Sequence, residues 1–160
     1  MRRTLLAIGG LAALLALFGC ATPTVLAPSA AVPVPAESPA QGTLVRFESG
    51  ETSVDVTIAA DNPTARDFLT LLPLTLPVEE FAGREKLGQL PRELETAGSP
   101  GSDPEDGDLI YFIPWGNIGF YYNTEGIGYS EQTIHLGTYA ATAERLAQLE
   151  GDNISVYIVK

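Results

Sequence analysis

Apolar and polar positions alternate with period two from Leu44 to Glu48 and again from Val54 to Ile58, on either side of Ser49-Gly50-Glu51. Successive side chains of a strand point to opposite faces, so this pattern predicts an antiparallel hairpin with one face buried. The period then changes. After Asp61-Asn62-Pro63, residues Ala65, Phe68, Leu69 and Leu72 recur at i, i+3, i+4 and i+7, the single apolar stripe of a helix laid on a core. Asn62 suits the N-cap, where its side chain accepts from unpaired backbone donors. Pro63 suits the first helical position because the N–H it lacks has no partner there, and Pro73 ends the helix.

Further along, Leu74 to Phe81 and Glu85 to Leu90 read as strands separated by Gly83, with Pro77 marking an edge or a bend. Thr96 to Gly107 is a loop by composition. Leu109 to Ile113 and Ile118 to Tyr122 are almost continuously apolar around Pro114-Trp115-Gly116, the pattern of two strands buried on both faces around a turn. This stretch holds the sole Trp of the chain. Thr133 to Leu136 predicts a short strand, Thr138 to Glu150 a second helix with Ala143, Leu146 and Ala147 on one side and Gly151 as its stop, and Ile154 to Val159 a closing strand. Two helices are too few to cross over between successive parallel strands. The predicted fold class is therefore mainly β, a closed and mainly antiparallel barrel plugged or capped by two helices.

The first forty residues change the picture from fold to address. Arg2 and Arg3 precede an apolar run from Leu5 to Phe18, shorter than the ~20 residues a spanning helix needs, which predicts an exported chain with a signal peptide over residues 1–19. Leu17-Phe18-Gly19-Cys20 resembles the lipobox of bacterial lipoproteins, in which Cys takes a thioether-linked diacylglycerol. Cys20 is the only cysteine, so no disulfide can form within the chain and lipidation accounts for a lone thiol in an oxidising compartment. The resemblance implies that acyl groups on Cys20 hold the protein on a membrane of the cell envelope, outer or cytoplasmic, outside the cytoplasm. Residues 20–41 are the lipidated Cys and a Pro/Ala-rich spacer with prolines at 23, 28, 33, 35 and 39, reaching ~65 Å as polyproline II. Residues 42–160 are the folded domain.

Nine Lys and Arg face twenty Asp and Glu, and removal of Arg2 and Arg3 with the leader makes the mature chain more acidic still. Nucleic acid is thereby excluded as a partner, and the acyl anchor rather than a basic patch must hold the domain at anionic lipid.

An ordered series of motifs runs through the domain: Asp61-Asn62-Pro63-Thr64-Ala65-Arg66-Asp67-Phe68, Leu72-Pro73-Leu74-Thr75-Leu76, Phe81-Ala82-Gly83, Leu90-Pro91-Arg92, Gly107-Asp108-Leu109, Pro114-Trp115-Gly116-Asn117, Phe120-Tyr121-Tyr122, Gly128-Tyr129-Ser130 and Leu136-Gly137. In this order it resembles the bacterial cyclophilin-like domain family, over Gly42 to Lys160. The resemblance implies a closed, eight-stranded, antiparallel β-barrel with two helices. It does not carry an activity with it. The F-H-R and F-x-M-A motifs of true prolyl isomerases are missing from this chain; were it a divergent isomerase, Arg66, Arg84 or Arg92 would have to act on the twisted amide.

Other chemistry is sparse. His135 is the only histidine and sits in an apolar strand, no G-x-S-x-G accompanies any Ser, and zinc would need more His or Cys than the chain has. Asp103 to Asp108 departs from the EF-hand spacing and reads as a solvated turn, and Asp67 reads as part of a solvated helix face. No cofactor and no metal are expected. What remains is an aromatic set, Trp115, Phe120, Tyr122 and Tyr129 with Asn117, able to line a groove for a peptide, a protein segment or a small apolar ligand. The function expected is a non-catalytic binding module on a lipid anchor, the alternative being a divergent peptidyl-prolyl cis-trans isomerase.

Overall fold

The computed structural model describes residues 40–160. The expectations placed on the leader, on Cys20 and on the spacer up to Pro39 concern residues outside those described.

Eight strands follow in chain order with a helix after the second and the seventh: β1 (Leu44–Ser49), β2 (Thr52–Ile58), α1 (Pro63–Thr70), β3 (Leu74–Phe81), β4 (Glu85–Gln89), β5 (Asp108–Phe112), β6 (Asn117–Tyr121), β7 (Thr133–Tyr139), α2 (Ala143–Ala147) and β8 (Gly151–Ile158). Every pairing is antiparallel, and the strands close on themselves in the order β1-β2-β7-β5-β6-β4-β3-β8. Closure leaves no free sheet edge.

The predicted β1–β2 hairpin forms with Phe47 opposite Val54 and Val45 opposite Val56, all four buried. Asn62 caps α1 as its residue type requires, its Oδ1 accepting from the Ala65 amide at 2.8 Å, while its Nδ2 donates to the His135 carbonyl at 3.2 Å and ties the helix to β7. The bend at Pro77 is a register shift in the β3–β8 pairing between Leu76 and Val78. A proline lacks the donor a regular ladder needs there.

The second helix departs from the sequence pattern. Residues 137–139 belong to β7, pairing with Ile58, Thr57 and Val56, and α2 is confined to five residues behind the N-cap Thr142. Thr138 holds no information that a helical reading would reject. It is the approach of the Thr57 carbonyl to Gly137, in space a Cβ would need, that extends the strand.

Inward-pointing residues from every strand but β4, whose inward position Gly88 has no side chain to contribute, fill the barrel in one continuous core with Phe68 of α1 and Leu146 of α2. Phe120 lies at its centre, edge-on to Phe47 at 4.8 Å and to Tyr139 at 5.4 Å between centroids.

Candidate functional site: an aromatic groove on the outer face

In sheet order β5, β6, β4 and β3 are consecutive neighbours, and strand alternation decides what their outer face carries. On β3, Leu76 and Val78 enter the core, so Pro77, Glu79 and Phe81 point outward. On β4, a Cβ on Gly88 would meet Leu76 and Ile118 of the core, so Leu87 and Gln89 point outward. On β6, Ile118 and Phe120 are core, so Asn117, Gly119 and Tyr121 are outward. Pro77, Phe81, Leu87, Gln89, Asn117 and Trp115, with Glu79, enclose a groove of about 320 Å³.

Trp115 stands in the turn between β5 and β6, 51 % exposed. Gly116 makes that turn possible at φ 65°, a backbone conformation costly for a side chain with Cβ, and its amide donates to the Phe112 carbonyl at 3.0 Å. The indole is held edge-on between two rings, Phe81 at 5.3 Å and Phe112 at 5.3 Å. Phe81 belongs to β3 and Phe112 to β5, with β4 and β6 lying between them, so the indole bridges a sheet face two strands wide. Gln89 fixes the turn from below, its Nε2 donating to the carbonyls of Trp115 at 3.2 Å and Gly116 at 3.3 Å. Asn117 is buried to 3 % exposure, and its Oδ1 has no hydrogen-bond partner.

Beside the groove, Glu85 is paired across the sheet with Phe81 on one side and Tyr121 on the other. Its carboxylate folds over Gly119 into space that a Cβ there would need, and the residue is 8 % exposed. Loss of hydration in this position raises the carboxyl to about 7, with the charge of Glu80 adding to the effect and the Tyr121 hydroxyl opposing it. Burial and the neighbouring Glu85 push the Tyr121 phenol up to about 12.

With this geometry in place, comparison with known proteins decides the kinship. The model of the cyclophilin-like family matches residues 47–159. The chain belongs to the cyclophilin-like family. A solved structure, the solution structure of a hypothetical protein from Archaeoglobus fulgidus, superposes with a TM-score of 0.60 at 16 % identity, over 78 % of this chain and 99 % of that one. At that identity the likeness is one of fold. No curated protein sequence matches the chain.

On this cyclophilin-like barrel the residues singled out from the sequence separate. Trp115 and Asn117 meet in the groove. Phe120 is sealed in the core at 0 % exposure and presents nothing to a ligand on the surface. Tyr122 follows β6 at the end opposite Trp115, and its hydroxyl donates to the Glu80 carboxylate at 2.7 Å. There the Lys86 ammonium lies 5.5 Å from its ring centroid and pairs with Glu80 and with Glu150 at 2.6 Å, closing that end of the barrel with charge rather than apolar bulk. Tyr129 is exposed and donates to Glu131 at 2.8 Å, outside the groove lining.

The three arginines are also dispersed. Arg66 pairs with Asp61 at 2.7 Å and lines a separate hollow of about 550 Å³ along α1. Arg84 donates to the carbonyl of Glu125 at 2.5 Å. Arg92 grips Asp67 with both terminal nitrogens at 2.7 Å, and this guanidinium is the main reason the Asp67 carboxyl falls to about 2. Asp67 also accepts from the Glu95 amide at 2.8 Å, so it is not simply part of a solvated helix face but the post that ties residues 92–95 to α1. None of the three arginines lines the Trp115 groove.

His135 on β7 is half-buried, its Nε2 3.3 Å from Asp108 Oδ1. Asp108 beside it raises the imidazole above its ordinary value against the opposing effect of burial. In the acidic loop, Asp106 accepts from the amide and hydroxyl of Thr124 at 2.7 and 2.8 Å, and Asp108 accepts from the Glu105 amide at 2.9 Å. Among the described residues no group of three or more His, Cys, Asp or Glu is placed to hold a metal ion.

Phe81, Leu87, Gln89 and Glu85 escaped the sequence reading. Glu85 reads as an acid at the first position of a strand, where solvation is the ordinary outcome, and no local signal distinguishes Phe81 from any other residue at a strand end.

Proposed function

We propose that this protein is a non-catalytic binding module, anchored in the cell envelope through lipid on Cys20, that receives a peptide, a protein segment or a small ligand in the groove beside Trp115. The observation that carries this reading is the half-exposed indole itself. A free tryptophan on a soluble face leaves a large apolar surface in water. Here its turn is pinned by Gln89 and its ring is oriented by Phe81 and Phe112, so the surface is presented rather than merely left uncovered. Phe81, also exposed at 38 %, extends it. The engagement of Arg66, Arg84 and Arg92 elsewhere favours binding over isomerisation, because an Arg at the apolar groove is what a twisted proline amide would require.

Trp115 is the only tryptophan, so its fluorescence reports on the groove alone. A screen of short peptides against the full chain in detergent is expected to give saturable changes in emission that Phe81→Ala weakens. Emission that no peptide or small ligand alters would defeat the proposal. The anchor has its own test: Cys20→Ser should move the protein from the membrane to the soluble fraction, and unchanged fractionation would reject lipidation.

A further inference from the structure

The polar groups around the groove share one character. Glu79 lines it as an exposed carboxylate, and Glu93 stands beside the Trp115 turn, its Cγ 3.7 Å from where a Cβ on Gly116 would sit. Asn117 carries an Oδ1 with no partner in a side chain 97 % withdrawn from solvent, while Gln89 spends its Nε2 on the turn and keeps its Oε1. The charged groups among them are carboxylates only. No Lys, Arg or His lines the groove. The barrel's basic side chains are committed elsewhere, Arg46 to Asp55 at 2.6 Å, Lys86 to Glu80 and Glu150, Arg92 to Asp67, and Arg145 to the Ser53 carbonyl at 3.1 Å. None of these four side chains belongs to the groove lining.

Apolar walls, exposed aromatic rings and carboxylates together describe a receptor for a cation on a short aliphatic stem. The face of an indole attracts ammonium and guanidinium groups through its quadrupole, and carboxylates at the rim steer positive charge inward. Resting on the binding reading above, we infer that the groove takes an organic cation of the lysine or arginine side-chain class, its stem against Leu87 and Pro77 and its charge between Trp115 and Glu79.

The test uses Trp115 emission of the full chain in detergent at low salt. Capped lysine and arginine amides are titrated beside their neutral counterparts, capped norleucine and citrulline amides. n-Butylammonium and a lysine-containing tetrapeptide separate a free amine from a peptide as the source of the charge. The cationic amides should bind about tenfold more tightly than the neutral pair, a difference that disappears at high salt. Glu79→Gln, at an exposed position, should weaken the cationic amides several-fold more than the neutral ones. Equal affinity for charged and neutral amides, or indifference to Glu79→Gln, overturns the cation assignment while the groove reading stands. Saturable binding of neutral ligands alone does the same, and absence of any saturable response overturns both.

Discussion

The carboxylate of Glu85 occupies the space that a side chain on Gly119 would fill. The two residues meet diagonally across the β4–β6 pairing, two positions out of register, since Glu85 is opposite Tyr121 and Gly119 opposite Leu87. Gly119→Ala therefore forces the end of Glu85 outward. The expected cost is about 1–3 kcal/mol, measured by urea denaturation at neutral pH, with part of it recovered because the carboxylate regains water. A variant as stable as the parent would show that Glu85 relaxes without cost.

Glu85 also links the fold to pH. Its carboxyl is raised to about 7 in the folded chain from 4.5, so the folded state holds this proton more tightly than the unfolded one. This contribution is fully present below about 4.5, is lost as pH rises through about 7, and above that the charged carboxylate is a standing penalty. Glu85→Gln removes the penalty. The variant should gain up to about 3 kcal/mol over the parent at pH 8 and little at pH 5, by chemical denaturation at both. A gain that does not change with pH would contradict the raised carboxyl.

Tyr111 is fully buried on β5, and its hydroxyl accepts from the Leu94 amide at 3.1 Å. This bond satisfies the loop that runs from β4 to β5. Tyr111→Phe keeps the ring and leaves a buried amide unpaired, which should cost about 1–3 kcal/mol in thermal or chemical denaturation. If Tm is unchanged, water reaches Leu94 and the loop is looser than its burial suggests.

Because His135 is the only histidine, its ring protons can be titrated by NMR without assignment. Asp108 raises it, while burial acts to raise Asp108 itself and the imidazole of His135 beside it and the Glu105 amide together keep that carboxyl below its ordinary value. The histidine's contribution to stability is present below 6.5 and is lost as pH rises through its folded value. That of Asp108 is present above 3.8 and is lost as pH falls through its own, so the pair is most effective between the two. Asp108→Asn should lower the His135 midpoint, and a midpoint that does not move would place the cause elsewhere.

Local sequence was enough for the elements. Period two from Leu44 to Ile58, the Asn62-Pro63 start of α1 and the bend at Pro77 are each decided by one residue's backbone or by which face it buries, and the structure has them where the pattern places them. The ordered motifs from Asp61 to Gly137 carried the cyclophilin-like barrel as well. Where a local preference was weak, at Gly137 and Thr138, the partner strand decided, and the helix expected from Thr138 became strand as far as Tyr139.

The groove could not be read in this way. Trp115 and Asn117 were visible as aromatic and polar residues at a turn, but Phe120 and Tyr122, which share their stretch, go into the core and to the far end of the barrel. Phe81 and Leu87 join Trp115 only because β4 lies next to β6 and β3 next to β4, although β5 separates them from β6 in the chain. Alternation along a strand determines which side chains leave the core. Which of them then meet depends on the order in which strands close the barrel, a property of long-range pairing and its loop-closure entropy that no short window of residues contains.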